Sequence, residues 1–115
     1  MTHPDDPTRL LHILESARKA IRLTAGRNRE ELINDEVIML AIIRLLEIIG
    51  EAASSISDEF KSRHPEMPWR RMSDMRNRLI HGYFDVEPRL VWQTLVTDLP
   101  ALIEKVQSAF KNEPS

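Results

Sequence analysis

The stretch LINDEVIMLAIIRLLEIIGEAASSI, Leu32 to Ile56, decides the fold. Its apolar side chains cover far more than one stripe of a helix with 3.6 residues per turn. Isoleucine is β-branched, but the segment is too long for a strand and reads as having no turn residue in its middle. It therefore predicts one helix that starts near Asn28–Glu31 and ends near Ser57. The longest apolar run, Val37 to Ile43, falls far short of the ~20 residues that span a bilayer. A helix apolar nearly all round is buried nearly all round. One bundle core in a 115-residue chain does not cover both sides of it, so a second subunit is expected to cover the rest.

The flanking segments are helical as well. Toward the N-terminus, Leu10, Leu11, Leu14, Ala17 and Ile21 recur at three- and four-residue steps and predict a helix from about Asp6 to Ala25. Pro7 suits its first turn, Asp5 and Asp6 favour its positive end, and Gly26 can stop it. Toward the C-terminus, Ser57 is a candidate cap for a short helix over Asp58–His64, which Pro65 and Pro68 follow. A fourth helix is expected from Pro68–Trp69 to His81, with Gly82 as a left-handed cap. The last should begin between Asp85 and Pro88, reach about Lys111, and kink at Pro100. No convincing strand remains. The expected class is all-α, a four- to five-helix up-and-down bundle, homodimeric. Residues 1–115 read as one helical domain, with an ordered core over about 6–111 and short tails.

Composition removes several classes of function. With no cysteine, there is no disulfide framework, Cys-based zinc site or Cys nucleophile. Three glycines, at 26, 50 and 82, cannot write a phosphate-cradling loop. The start of the chain is acidic where a signal peptide would be basic and then apolar, so the expected compartment is cytoplasmic. Sixteen Lys and Arg against eighteen Asp and Glu exclude a nucleic-acid binder held by bulk charge alone. Charge is uneven, however. Between Phe60 and Ile80 six cations face two acids, a local +4 that leaves −6 for the remainder of a chain of net −2. A positive surface on an acidic protein suits a polyanion or an acidic partner. It equally suits a solvated helix face laced with ion pairs.

The densest polar segment is Arg76-Asn77-Arg78-Leu79-Ile80-His81-Gly82-Tyr83. Leu79 and Ile80 would pin it to the core. Asn77 and His81, four apart, share one helix face, and Arg76 lies about 100° to one side of Asn77. Carbonyls at the helix end favour a protonated imidazole at His81, which would raise its pKa. RNA carries its own nucleophile, the 2′-hydroxyl, so a protein need only move protons and hold charge on the phosphate. Histidine suits the first task near neutral pH and arginine the second. Asparagine can orient either partner. A lone histidine at a helix end is also a common structural cap, and one histidine leaves a second proton-transfer role unassigned. A two-fold dimer would supply that second group.

Arg76-x4-His81-x-Tyr83 resembles the RX4HXY signature of HEPN-domain toxins of the HepT type, the toxin half of HEPN/MNT toxin–antitoxin pairs. Ile49-Gly50-Glu51-Ala52, the run His64 to Trp69, the run Met75 to Phe84, and Val91-Trp92 with Asp98-Leu99-Pro100 are similar to that family too. The likeness covers roughly Leu10 to Val106. It implies a metal-independent endoribonuclease that needs no cofactor, acting on RNA as a homodimer whose paired motifs line a basic cleft. By position it makes Arg76 and His81 the catalytic pair and Asn77 their support. Tyr83 becomes the residue that a partner nucleotidyltransferase antitoxin modifies with AMP, setting a phosphate and a base beside the arginine. Arg70, Arg71 and Arg78 are the expected RNA-binding cations.

Other readings stay open at this level. The domain could be a non-catalytic helical scaffold for a nucleotidyltransferase, or a plain dimerisation unit. His3, His12 and His64 form no metal-ligand spacing with a carboxylate. Glu47 and Glu51 are an i, i+4 carboxylate pair that suits salt bridges better than a metal, with Arg44 beside Glu47 and the fourth helix within reach of Glu51. Trp69 and Trp92 read as core anchors, and the five methionines as gap-fillers. No membrane span is expected.

Overall fold

The computed structural model describes residues 5–81 and 88–112, the side chain at position 81 excepted. Its elements in chain order are α1 (Asp6–Thr24), α2 (Arg29–Ile33), α3 (Glu36–Ser55), α4 (Asp58–Arg63), α5 (Trp69–His81) and α6 (Pro88–Gln93). A π-helical turn (Thr94–Asp98) then leads into α7 (Leu99–Asn112). The chain is all-α, and among the described residues there is no strand. Four rods build the bundle: α1, α3, α5 and the α6–α7 run. α3 is central, packing on α1 to one side and α5 to the other, and α7 closes against α1. Among the described residues no helix is long and apolar enough to cross a membrane.

Each rod is positioned by local chemistry. α1 begins at Asp6 with Pro7 in its first turn. Asp6 does more than complement the helix dipole. It is fully buried, and its carboxylate accepts hydrogen bonds from the Ser57 N–H at 2.9 Å and the Ser57 Oγ at 2.6 Å. Ser57 Oγ in turn accepts from the Phe60 N–H and caps α4. One carboxylate therefore ties the start of α1 to the start of α4. Gly26, just past α1, has φ +76°, the left-handed region that only glycine enters without strain.

The long helix expected from Asn28 to Ser57 is two helices. Asn28 caps α2 through the Glu31 N–H, and Asp35 caps α3 through the Ile38 N–H at 3.1 Å. Asp35 sits in extended backbone, so Asn34–Asp35 form the turn that the apolar residues on either side conceal. Ile42, Leu46 and Ile49 of α3 are buried in the core with Leu10 and Ile13 of α1 and Leu102 of α7. The opposite side of α3 stays open within this chain, with Val37 77% and Leu40 58% exposed.

The C-terminal rod widens into a π-helical turn just before Pro100. Proline has no N–H for the carbonyl four residues back, and its ring collides with that carbonyl. The chain relieves this with the wider turn, in which the Leu99 N–H bonds to the Thr94 carbonyl, five residues back. The expected kink is thus a π-helical insertion. Thr94 adds a back-bond from its hydroxyl to the Leu90 carbonyl at 2.8 Å. The expected caps and stops at Gly82, and Tyr83 beyond it, lie outside the described residues.

Candidate active site

The polar segment rides on α5, and α5 is seated from both ends. At its start the Trp69 indole donates to the His64 carbonyl at 2.9 Å and meets Phe60 edge-on, with ring centroids 6.1 Å apart. His64 itself is buried, stacked on Phe60 at 4.5 Å with its Nδ1 3.3 Å from Glu66 Oε1, a structural post rather than a ligand. Toward its end Leu79 is buried, and the Ser54 and Ser73 hydroxyls bridge α3 to α5 at 3.0 Å.

Between these points α5 lies directly on α3 at Gly50. A Cβ placed on Gly50 would stand 2.2 Å from the Arg76 Cβ and 2.7 Å from the Met72 carbonyl oxygen. Only a residue without a side chain admits this approach. The stem of Arg76 is thereby clamped in the α3–α5 seam. Its Nη1 donates to Asn77 Oδ1 at 3.0 Å, and its Nε is buried with no hydrogen-bond partner among the described residues. No carboxylate among them pairs with it. Among the described residues this guanidinium is held by a neutral amide alone.

The bond to Asn77 also sets direction. Arg76 and position 81 are about 140° apart around an ideal helix, but Asn77 shares the ridge of position 81, one turn on. Drawing the guanidinium to Asn77 brings it toward that ridge. The His81 side chain and Tyr83 are outside the described residues.

Of the three expected RNA-binding cations, Arg71 and Arg78 line one groove, and Arg70 is not among its lining residues. Arg70 is 95% exposed and lies 4.0 Å from Asp74, one turn along the same helix. Arg71 reaches across to Asp98 of the π-helical turn at 3.4 Å. Arg78 is exposed and has no ion-pair partner among the described residues. Exposed pairs of this kind are worth ~0–1 kcal/mol and leave their cations available. Glu47 sits 4.0 Å from Arg44, as an ion pair, whereas Glu51 is exposed and joins no arginine of α5 among the described residues. Those residues contain no group of three or more His, Asp or Glu able to hold a metal ion.

Two features escape a reading of the sequence alone. Gly50 is one: a glycine inside an apolar helix signals a close backbone approach, but not to which partner. The other is a groove of about 310 Å3 between α5, the α6–α7 run and α3. Arg71, Asp74 and Arg78 form one wall, Thr94 and Asp98 of the π-helical turn the other, and Leu46 and Ile49 lie on the α3 side.

Residues 13–109 match the family model described as Ribonuclease HepT-like. The chain is 43% identical over 102 residues to "Probable ribonuclease HepT" of Thermococcus cleftensis, covering 85% of this chain and 93% of that one. It is 39% identical over 107 residues to a "Putative RNase" of Methanocaldococcus jannaschii, covering 93% and 98%. A third relative, a "Putative RNase" of Caldanaerobacter subterraneus, is 36% identical over 104 residues, covering 90% and 93%. No solved structure matches the chain.

Proposed function

The chain belongs to the ribonuclease HepT-like family, and from that premise we propose that it is a metal-independent endoribonuclease cutting through the substrate's own 2′-hydroxyl. The observation that carries the reading is Arg76: a guanidinium clamped against Gly50, bonded to Asn77, and balanced by no carboxylate among the described residues. Such a group suits the non-bridging oxygens of a phosphodiester.

In this mechanism the 2′-oxygen attacks phosphorus and the P–O5′ bond breaks. The products are a 2′,3′-cyclic phosphate and a 5′-hydroxyl. The 2′-proton leaves to a base and a proton reaches the departing 5′-oxygen, so the net proton count is unchanged. His81 performs proton transfer. Arg76 stabilises the charge that builds on the phosphoryl oxygens, and Asn77 holds the guanidinium toward the His81 ridge. Arg70, Arg71 and Arg78 attract the strand.

The open apolar side of α3, with Val37 and Leu40 exposed, supports a homodimer. A dimer would supply two copies of the motif and with them the second proton-transfer group. The likeness of the motif further supports a toxin–antitoxin role. A nucleotidyltransferase partner then silences the enzyme by placing AMP on Tyr83. The nucleotide phosphate would satisfy Arg76 and its base would obstruct the strand.

The test uses purified protein, RNA and chelator. Wild type should cleave, and Arg76→Ala and His81→Ala should fold as wild type and lose cleavage. Retained activity in both variants, or a requirement for added divalent metal, refutes the mechanism.

A further inference from the structure

The groove beside α5 contains charge that the other described residues leave unpaired. Arg71 is held to Asp98 and Asp74 lies beside Arg70. Arg78 and Lys105, which also line the groove, have no ion-pair partner among the described residues. These two cations at the walls and an apolar floor of Leu46, Ile49 and Leu102 match a ligand with a flat apolar body and a phosphate. The volume, about 310 Å3, lies at the lower end of the ~300–1,000 Å3 usual for small-molecule sites. One wall is the π-helical turn, a distortion that tends to occur at functional sites.

Location narrows the ligand. Arg78 stands about 200° around α5 from Arg76 but only about 60° from position 81, three residues on, so the groove opens on the flank of α5 next to the ridge of position 81. A strand with its phosphate over the ridge of Asn77 and position 81, toward which the Arg76 guanidinium is drawn, would lead an adjacent nucleotide over Arg78. We infer that the groove is a nucleotide subsite: it takes one base of single-stranded RNA next to the cut, with its phosphate on Arg78 and Lys105. Asp74 and Thr94 supply polar atoms for the base edge, so the subsite imposes a base preference on the cut. This rests on the ribonuclease reading for its biological role, but not for its ability to bind a nucleotide.

The probes are the four 5′-mononucleotides, followed by amide NMR shifts, and a 2′-O-methyl RNA hexanucleotide, which binds and is not cut. Two exposed positions away from Arg76 and His81 are altered: Lys105→Gln removes a cation, and Ala101→Phe fills the groove from its wall. Mononucleotide shifts should centre on groove residues. Lys105→Gln should weaken binding about tenfold and lower the salt slope for the hexanucleotide by ~0.7. Ala101→Phe should abolish the shifts, and both variants should flatten the base preference flanking the cut in a randomised RNA. If wild type cuts RNA, yet no mononucleotide binds and both variants keep its flanking-base profile, the subsite is overturned and the ribonuclease reading stands. If nucleotides bind in the groove and both variants lose them, but wild type cuts no RNA, the site stands and the ribonuclease reading falls.

Discussion

Gly50→Ala is the sharpest perturbation of the seam that holds Arg76. The added methyl would meet the Arg76 Cβ at 2.2 Å and the Met72 carbonyl at 2.7 Å. Neither atom is the tip of a flexible side chain, so a rotamer change does not relieve the clash. Carbon atoms rest no closer than ~3.5 Å, and α5 must therefore lift from α3 by about 1.3 Å. Overpacking of this kind costs ~3 kcal/mol at the upper end of the usual range. Alanine recovers ~1 kcal/mol of helix propensity over glycine. The net loss is about 2 kcal/mol. With an unfolding entropy of ~2.1 cal/mol/K per residue, the melting temperature should fall by about 8 °C. A folded variant should also lose most RNA cleavage, because its guanidinium no longer sits where Asn77 can hold it. Thermal melts and a gel-based cleavage assay on the same preparation read both effects. A Gly50→Ala protein that melts at or above wild type, with full activity, would refute the close-approach argument.

Other expectations follow from the same contacts. Gly26→Ala should cost about 1 kcal/mol in urea unfolding through its positive φ alone, leaving cleavage untouched, since nothing lies within 4 Å of the new methyl. Asp6→Ala should cost ~2–3 kcal/mol, because a buried acceptor of two hydrogen bonds from Ser57 disappears. Arg71→Ala should change stability by less than ~0.5 kcal/mol in the same assay, its pair with Asp98 being exposed. Leu40→Arg should shift sedimentation equilibrium toward monomer with the helical circular dichroism unchanged, if the open side of α3 is the self-association surface.

Much of the fold was legible from periodicity and caps. The extents of α1, α4 and α5 follow from Pro7, Ser57 and Pro68 and from the apolar spacing around them. The break at Asn34–Asp35 was not, because apolar residues on both sides hide a cap whose sign is a single side-chain bond to the Ile38 N–H. Pro100 announced a disturbance but not its form, since only the backbone geometry decides between a kink and a widened turn. Asp6 reads locally as a dipole partner, and its real contact, Ser57, is 51 residues away. For the site, residue types and register on α5 were readable in advance. The direction of the Arg76 guanidinium was not: it depends on Gly50 from another helix and on a bond to its own neighbour. The groove was equally hidden, because its walls come from segments far apart in the chain.

In the proposed mechanism the Arg76 guanidinium, paired with no carboxylate among the described residues, holds a phosphodiester while the ribose attacks. The most direct test is to incubate the purified protein with a labelled RNA in excess chelator and analyse the cut ends. Wild type should leave 2′,3′-cyclic phosphate and 5′-hydroxyl termini, and folded Arg76→Ala none. Equal cleavage by that variant, or termini carrying a 5′-phosphate, would contradict the mechanism.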